Sequence, residues 1–204
     1  MLDFDRALTE IRAVRSQIAR GTEFRGYGPA AFAATGILAV VASVAQASWI
    51  DTPLTELRTY LALWTATAAL SALIIGIDVV TRSRRVHSGL ADEMVRAAVE
   101  QLLPALAAGL LLTIALVRFA PQHVVLLPGL WQIMISLGIF ASCRSLPRPL
   151  VAVGVWYLGC GLVSIALADV SPLSPAAMGL PFGGGQLLSA ALVQFVGAHD
   201  DVEE

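Results

Sequence analysis

The side chains of this sequence that could do chemistry are mostly neutral, and they lie inside long apolar stretches. Glutamine amides, hydroxyl groups and an indole N–H can orient an uncharged ligand in a small apolar pocket. The same groups can instead bond one another across neighbouring helices, at about 0.6 kcal/mol for an average bond, so both interpretations stay open. The candidate pocket residues are Thr113, Trp131, Gln132, Ser136, Gly183, Gly184, Gly185 and Gln186.

Signatures of catalysis and of metal binding are absent from the sequence. It contains no HExxH, GxSxG or P-loop pattern. Its two cysteines, Cys143 and Cys160, do not have the spacing of a CxxC motif. We therefore expect no cofactor, no metal site and no enzymatic activity. An enzyme acting on a lipid is the third of our functional hypotheses, and its site would be built from Asp78, His87, Asp92, Glu93 and the basic run 82–85.

The composition of the chain is that of a membrane protein. Hydrophobic residues make up 57% of its 204 residues, charged residues make up 14%, and the mean hydropathy is +0.76. A soluble domain has about a quarter of charged residues. Six apolar stretches have the roughly 20 residues that a helix needs to cross about 30 Å of hydrocarbon. We expect an all-α, polytopic bundle of six transmembrane helices, at 30–50, 59–80, 102–120, 124–143, 149–170 and 176–198.

The basic residues, 13 in number and all arginines, predict the orientation of these spans. Only Arg58 and Arg118 fall on one side, and the other arginines flank the opposite side. The positive-inside rule places the arginine-rich side and both termini in the cytoplasm, for a protein of the bacterial inner membrane. A single transmembrane domain, 29–198, then follows a cytoplasmic amphipathic segment, 1–28, and precedes an acidic cytoplasmic tail, 199–204.

Two cytoplasmic segments have the periodicity of short amphipathic helices. Apolar residues recur at helical spacing within 4–18, and Asp92, Arg96 and Glu100 form a ladder of opposite charges. The first helix could rest among anionic headgroups or dock a cytosolic protein. Direct binding to nucleic acid is not expected, because the arginines are scattered at helix ends. The candidate contacts to a partner or to anionic lipid are Arg6, Arg12, Arg15, Arg82, Arg84, Arg85, Arg144 and Arg148.

A glycine run at 183–185 follows Pro181 inside the last predicted span. Glycine costs a helix about 1 kcal/mol relative to alanine, and proline removes a backbone donor. The helix is therefore either unwound there and lines a ligand site, or it stays helical and packs closely against a neighbour. Close packing would bring the run against Gly154, Gly159 and Gly161 of the fifth span.

Three runs of residues carry a resemblance to a group of known proteins. They are LLPGLWQ at 126–132, FASCR at 140–144 and MGLPFGGGQ at 178–186. In these runs the chain resembles small six-span bacterial membrane proteins with no assigned activity. Some members are encoded beside a small winged-helix regulator, so the resemblance implies a link from the membrane to transcription. It carries over no functional residue.

These observations give three functional hypotheses. The leading one is a non-enzymatic membrane sensor or regulatory subunit, which binds a small hydrophobic ligand or lipid and engages a cytosolic partner, such as the winged-helix regulator that the resemblance implies. The second is a small facilitator or exporter of an uncharged or amphipathic solute, with the run 183–185 as a flexible wall. The third is the lipid-modifying enzyme. A homo-oligomer is compatible with the first two.

Overall fold

The computed structural model describes residues 28–86, 91–142 and 148–200, and in these ranges the chain is helical with no strand. Two short 3-10 helices, Pro121–Leu126 and Arg148–Leu150, precede the fourth and fifth α-helices. The all-α prediction is confirmed for this part of the chain. The α-helices are α1 (Pro29–Trp49), α2 (Leu57–Val86), α3 (Ala91–Phe119), α4 (Leu127–Ala141), α5 (Val151–Ala166) and α6 (Pro175–Asp200).

Not all six helices are long enough on their own to cross a membrane. The described apolar parts of α3 and α5 are Leu103–Phe119 and Val151–Ala166. The 16 residues of α5 rise about 24 Å, against a hydrocarbon core of about 30 Å. The six-span topology therefore remains a prediction. Four helical segments do have the length and hydropathy of a span, namely Pro29–Trp49, Leu57–Thr81, Pro121–Ala141 and Pro175–Phe195.

Prolines and one unusual leucine mark the ends of several helices. Three helices have a proline in their first turn, namely Pro29, Pro128 and Pro175. The N–H groups of a first turn have no acceptor within the helix, so a proline there costs no helical hydrogen bond. We expected the fifth span to run to residue 170, but α5 ends at Ala166 and the chain turns before α6. Leu173 in this turn has a φ of 50°, in the left-handed region that leucine seldom adopts. Its side chain is only 1% exposed, so burial holds the turn in this conformation.

Two helix pairs form the centre of the bundle. α1 packs most extensively against α6, and α4 packs against α5. Contacts between α5 and α6 join the two pairs, whereas α2 lies beside α1 and α3 lies beside α4 at the periphery. Large apolar side chains consequently face outward on these two helices, as expected of helices that face lipid. They include Leu70, Leu73, Ile77, Leu106, Leu110 and Leu111.

Two clusters of buried side chains lie at different levels of the bundle. We name the two ends of the bundle the Pro29 end and the Trp49 end, after the first and last residues of α1. Phe182 of α6 packs against both clusters and so connects them. The Trp49-end cluster contains Ala42, Ile50, Tyr60, Trp64, Leu173 and Met178, and the Pro29-end cluster contains Leu150, Val153 and Tyr157.

Candidate ligand site between α5 and α6

The glycine run 183–185 gives room to side chains of two neighbouring helices. Helix α6 is continuous from Pro175 to Asp200, so the interpretation of the run as an unwound segment was wrong and the close-packing interpretation is confirmed. A β-carbon at any of the three positions would collide with a neighbour. It would lie 2.8 Å from Val40 of α1 at Gly183, 2.8 Å from Trp156 of α5 at Gly184, and 2.6 Å from Tyr157 of α5 at Gly185.

The predicted glycine partners of this run were wrong. Gly154 of α5 faces the Phe140 ring of α4, and Gly161 lies against the backbone of Gly129, also in α4. Apart from the nearby backbone of its own helix, no atom lies within 4 Å of the place where a β-carbon at Gly159 would be. Gly154 and Gly161 therefore belong to the contact between α4 and α5, where small residues let two backbones approach.

Gln132 of α4 donates a hydrogen bond to a backbone carbonyl that has no donor within its own helix. Because Pro181 has no N–H, helix α6 cannot bond the Ala177 carbonyl four residues earlier. The Gln132 amide donates from Nε2 to that carbonyl at 2.6 Å. Its Oε1 accepts a longer bond, at 3.4 Å, from the Ser164 hydroxyl of α5. Gln132 is fully buried, and both ends of its amide are engaged within the bundle.

Three further predicted pocket residues also bond to neighbouring helices. The Trp131 indole of α4 donates to the Thr113 hydroxyl of α3 at 2.9 Å. The Thr113 hydroxyl in turn donates to the Gly109 carbonyl of its own helix. The Ser136 hydroxyl of α4 donates to the Gly154 carbonyl of α5 at 2.8 Å. The three predicted residues of α4 thus bond to three different helices, α3, α5 and α6.

Two polar atoms beside the glycine run have no hydrogen-bond partner, Tyr157 Oη of α5 and Gln186 Oε1 of α6. Tyr157 is 2% exposed, and its hydroxyl approaches the backbone of α6 so closely that a β-carbon at Gly185 would lie 2.7 Å from Oη. The Gln186 amide lies close enough to this hydroxyl for a side-chain hydrogen bond, although no bond of good geometry joins them. A buried polar atom without a partner costs about 1–3 kcal/mol. A bound water or ligand would remove this cost, so the pair defines a candidate site.

The surroundings of this candidate site are aromatic and closely packed. The Phe182 ring lies 5.4 Å from the Tyr157 ring, between centroids, at an angle of 50°. The Trp156 indole donates to the Pro181 carbonyl at 3.0 Å, which fixes α5 against α6. On the side of α1, a β-carbon at Gly36 would lie 3.2 Å from Cβ of Gln186. The site therefore offers one phenol hydroxyl and one amide oxygen in an apolar setting.

Tyr60 Oη is a third buried atom without a partner, and it lies in the Trp49-end cluster. In the same cluster the Trp64 indole donates to Gln46 Oε1 at 2.7 Å. Gln46 Nε2 donates to the Leu173 carbonyl at 2.7 Å. This buried chain of bonds joins α2 and α1 to the turn before α6. Gln46 is therefore satisfied, whereas the Tyr60 hydroxyl is not.

Sequence reasoning missed Tyr157 and Tyr60. Both are tyrosines inside predicted apolar spans, and a tyrosine hydroxyl that becomes buried needs a partner, which is the signal that could have identified them. The proximity of Tyr157 to Gln186 has no such signal, because the two residues belong to different helices. It depends on how α5 packs against α6.

At the Pro29 end, an acidic side chain of α2 holds the start of α1. The Gly28 N–H donates to Asp78 Oδ2 at 2.7 Å. Gly28 directly precedes Pro29, the first residue of α1, so the carboxylate lies at the positive end of that helix dipole. Charge and hydrogen bond both stabilise this contact between α1 and α2.

The predicted arginine contacts are only partly within the described ranges. Arg6, Arg12, Arg15 and Arg144 lie outside the described residues. The backbone of the remaining four arginines lies at the Pro29 end of the bundle. Arg82, Arg84 and Arg85 are in the last turns of α2, and Arg148 begins the 3-10 helix before α5.

Neither a metal site in the described residues nor a match to a known protein adds to this description. Within residues 28–86, 91–142 and 148–200, no group of three or more His, Cys, Asp or Glu side chains is placed to hold a metal ion. No family model, curated protein or solved structure matches the chain. Fold and site together define its class as an all-helical protein whose apolar helices suit a membrane, with an unsatisfied polar pair inside the bundle.

Proposed function

We propose that the chain is a non-enzymatic integral membrane protein of the bacterial inner membrane, a sensor or regulatory subunit. It binds a small hydrophobic ligand between α5 and α6 and engages a cytosolic partner at its Pro29 end. Both termini lie in the cytoplasm, as the arginine distribution predicts.

The observation that carries this proposal is the pair Tyr157 Oη and Gln186 Oε1, buried without hydrogen-bond partners. Gln186 lies 11 residues after the first residue of α6, which corresponds to about 16 Å of a span of about 30 Å. Polar atoms at that depth cannot be satisfied by bulk water. A ligand hydrogen-bonding group is the natural complement of two adjacent unsatisfied atoms in an apolar setting.

A sensor agrees better with the other interior polar groups than a facilitator does. Gln132, Ser136 and Thr113 each make a bond to another helix or to backbone. A pathway for a polar solute needs such groups to be available to that solute. Their engagement supports a bundle that holds its ligand at one place, and we therefore do not extend the proposal to transport.

The proposed partner surface is the arginine-rich Pro29 end. Arg82, Arg84, Arg85 and Arg148 belong to it by the course of the backbone, and Arg6, Arg12, Arg15 and Arg144 by the predicted topology. Arginine suits acidic protein surfaces because its guanidinium group can bond a carboxylate through two N–H groups. The cytosolic partner that we propose is a regulatory protein, and the resemblance noted above makes a winged-helix regulator the first to test.

The ligand is tested by extraction of small molecules from the purified full-length chain with organic solvent, followed by mass spectrometry. We expect a hydrophobic compound that is about fivefold depleted in Tyr157→Phe, the effect of one typical hydrogen bond. Tyr60→Phe is a matched control, since it removes another buried, unpartnered hydroxyl from the other cluster. Equal recovery of every compound from all three proteins would reject the α5–α6 site.

The partner is tested by crosslinking in intact cells, purification of the tagged chain and quantification of cytosolic proteins. We expect one regulatory protein to be lost on deletion of residues 2–19 and on replacement of Arg82, Arg84 and Arg85 by glutamine. Arg118→Gln, on the opposite side of the predicted topology, should retain it. If the variants and the unchanged chain recover the same proteins, the proposed regulatory role is wrong.

A further inference from the structure

We infer that α6 contains a hinge at Pro181, about which its second half, residues 182–195, moves away from α5 while its first half, 175–181, stays fixed. The bundle then opens between α5 and α6 at its Pro29 end and stays closed at its Trp49 end. This inference goes beyond the proposed function, because it requires neither a ligand nor a partner. It follows from where hydrogen bonds hold α6 and where they do not.

Helix α6 bends most easily around Pro181. Proline has no N–H, so the helical bond from residue 181 to the Ala177 carbonyl is missing, and the proline ring crowds the preceding turn. The glycines at 183–185 follow directly, and glycine favours the helix less than any residue except proline. Sharp bends of helices occur at such residues. The stretch 181–185 is therefore the weakest part of α6.

The first half of α6 and the turn before it are anchored by side chains of three other helices. Each side chain donates to a backbone carbonyl, so the bond holds the backbone itself. The donors are Gln46 Nε2 and Ser43 Oγ of α1, Gln132 Nε2 of α4 and Trp156 Nε1 of α5, and they bond the carbonyls of Leu173 at 2.7 Å, Pro175 at 2.9 Å, Ala177 at 2.6 Å and Pro181 at 3.0 Å, respectively. These four bonds fix residues 173–181 to α1, α4 and α5.

The second half of α6 has no comparable anchor within the described part of the chain. The Ser189 hydroxyl donates to the Gly185 carbonyl of its own helix. The Gln186 amide lies close to the Tyr157 hydroxyl of α5, but no bond of good geometry joins the two groups. The other contacts of this half with α5 are apolar and are made to the Pro29-end cluster by Leu188, Leu192 and Val193.

Apolar contacts of this kind separate readily in a membrane. Lipid tails are as apolar as leucine side chains, so exposure of Leu188 or Leu192 to lipid lacks the cost that it has in water. Bonds to backbone carbonyls differ, since hydrocarbon offers no substitute for a lost donor. The two halves of α6 therefore differ in how readily they leave the bundle, and the boundary between them coincides with Pro181.

The close approach of α6 to α1 lies just beyond Pro181 and provides a pivot. A β-carbon at Gly36 of α1 would lie 3.2 Å from the Gly183 carbonyl, and a β-carbon at Gly183 would lie 2.8 Å from Val40. Rotation about this contact displaces residues farther along α6 more than those beside it. Phe195 lies about 21 Å along the helix from Pro181, so a change in bend of about 20° moves it by about 7 Å.

The test measures distances between pairs of spin labels by double electron–electron resonance, on the purified full-length chain in lipid nanodiscs. Labels are attached to cysteines introduced at exposed positions, in a background with Cys143→Ala and Cys160→Ala. Both pairs join α2 to α6, one at the Pro29 end with Ile77→Cys and Phe195→Cys, the other nearer the Trp49 end with Ala66→Cys and Leu180→Cys. The Leu180 pair is the matched control, because it reports on the first half of α6.

We expect one narrow distance for the Leu180 pair and two populations, up to about 7 Å apart, for the Phe195 pair. One population should match the separation of Ile77 and Phe195 in the structure, and the other corresponds to the opened position. Pro181→Ala restores an N–H that can bond the Ala177 carbonyl within α6. It should therefore lower the opened population about fivefold, the effect of one typical hydrogen bond.

Three results would overturn the inference. A single narrow distance for both pairs shows that α6 does not bend, and this comparison needs no substitution at position 181. Two populations in both pairs show that α6 moves as one body. An opened population that persists unchanged in Pro181→Ala shows that the proline is not the hinge. None of these results bears on the extraction and crosslinking experiments, which test the proposed function separately.

Discussion

Replacement of Gln132 by leucine is expected to lower the free energy of unfolding by about 1–3 kcal/mol. The Gln132 amide donates at 2.6 Å to the Ala177 carbonyl, which cannot have a helical donor because residue 181 is proline. Leucine would therefore leave a buried carbonyl without a partner. An average interhelical hydrogen bond in a membrane protein contributes about 0.6 kcal/mol, so a loss above 1 kcal/mol would point to the missing backbone donor as the cause.

A double-mutant cycle with Pro181→Ala isolates this cause. Alanine at position 181 has an N–H that can bond the Ala177 carbonyl within α6, so Gln132→Leu should cost less than about 1 kcal/mol in that background. The measurement is an SDS titration of each purified protein in mixed micelles, followed by far-ultraviolet circular dichroism. Equal costs of Gln132→Leu in both backgrounds would refute the reasoning.

Gln46→Leu is the matched control for the cycle. Gln46 is also a buried glutamine, but its amide donates to the Leu173 carbonyl in the turn before α6. Pro181→Ala supplies no new donor to that carbonyl. The cost of Gln46→Leu should therefore be the same with proline or alanine at position 181, and a change of similar size to that at Gln132 would indicate a general effect of the proline on α6.

The same titration applies to two further pairs of substitutions. Gly185→Ala should lower the free energy of unfolding by about 1–3 kcal/mol, because the new β-carbon would lie 2.6 Å from the Tyr157 ring. Gly159→Ala has open space instead and should leave stability unchanged or raise it by up to about 1 kcal/mol, so a comparable loss there would contradict the packing argument. Asp78→Ala should cost about 1 kcal/mol through loss of the bond at the start of α1. The exposed Asp51→Ala should cost nearly nothing, and equal losses at the two aspartates would argue against that bond.

Helix positions could be predicted from the sequence because the apolarity required of a span is a local property. The first span was expected at 30–50, and α1 occupies Pro29–Trp49. The fifth was expected to continue to 170, where the residues are still apolar, but α5 ends at Ala166. The turn that follows depends on Leu173, which adopts its left-handed conformation as a buried member of the Trp49-end cluster. Tertiary packing of this kind leaves no mark on hydropathy.

The candidate site was predicted in part. The local sequence alone pointed to Gln186 and the run 183–185, since an amide and consecutive glycines are unusual in an apolar span. The sequence could not tell which helices approach those glycines, and it gave Gly154, Gly159 and Gly161 where the structure has Val40, Trp156 and Tyr157. The sequence also could not show that Gln132 donates to the Ala177 carbonyl, which lacks a helical donor because residue 181 is proline. That hydrogen bond joins two different helices.

The position of Tyr157 connects the proposed ligand site to the proposed partner surface. Tyr157, Val153 and Leu150 form the Pro29-end cluster, at intervals of four and three residues along one face. Leu150 closes the 3-10 helix that begins with Arg148. Because close-packed side chains do not deform continuously, we propose that a ligand displacing the Tyr157 ring repacks this cluster and shifts the 3-10 helix that begins with Arg148. Val153→Ala should therefore weaken the dependence of partner binding on the ligand without altering the ligand's own contacts, and extraction of the ligand together with crosslinking measures the two effects separately.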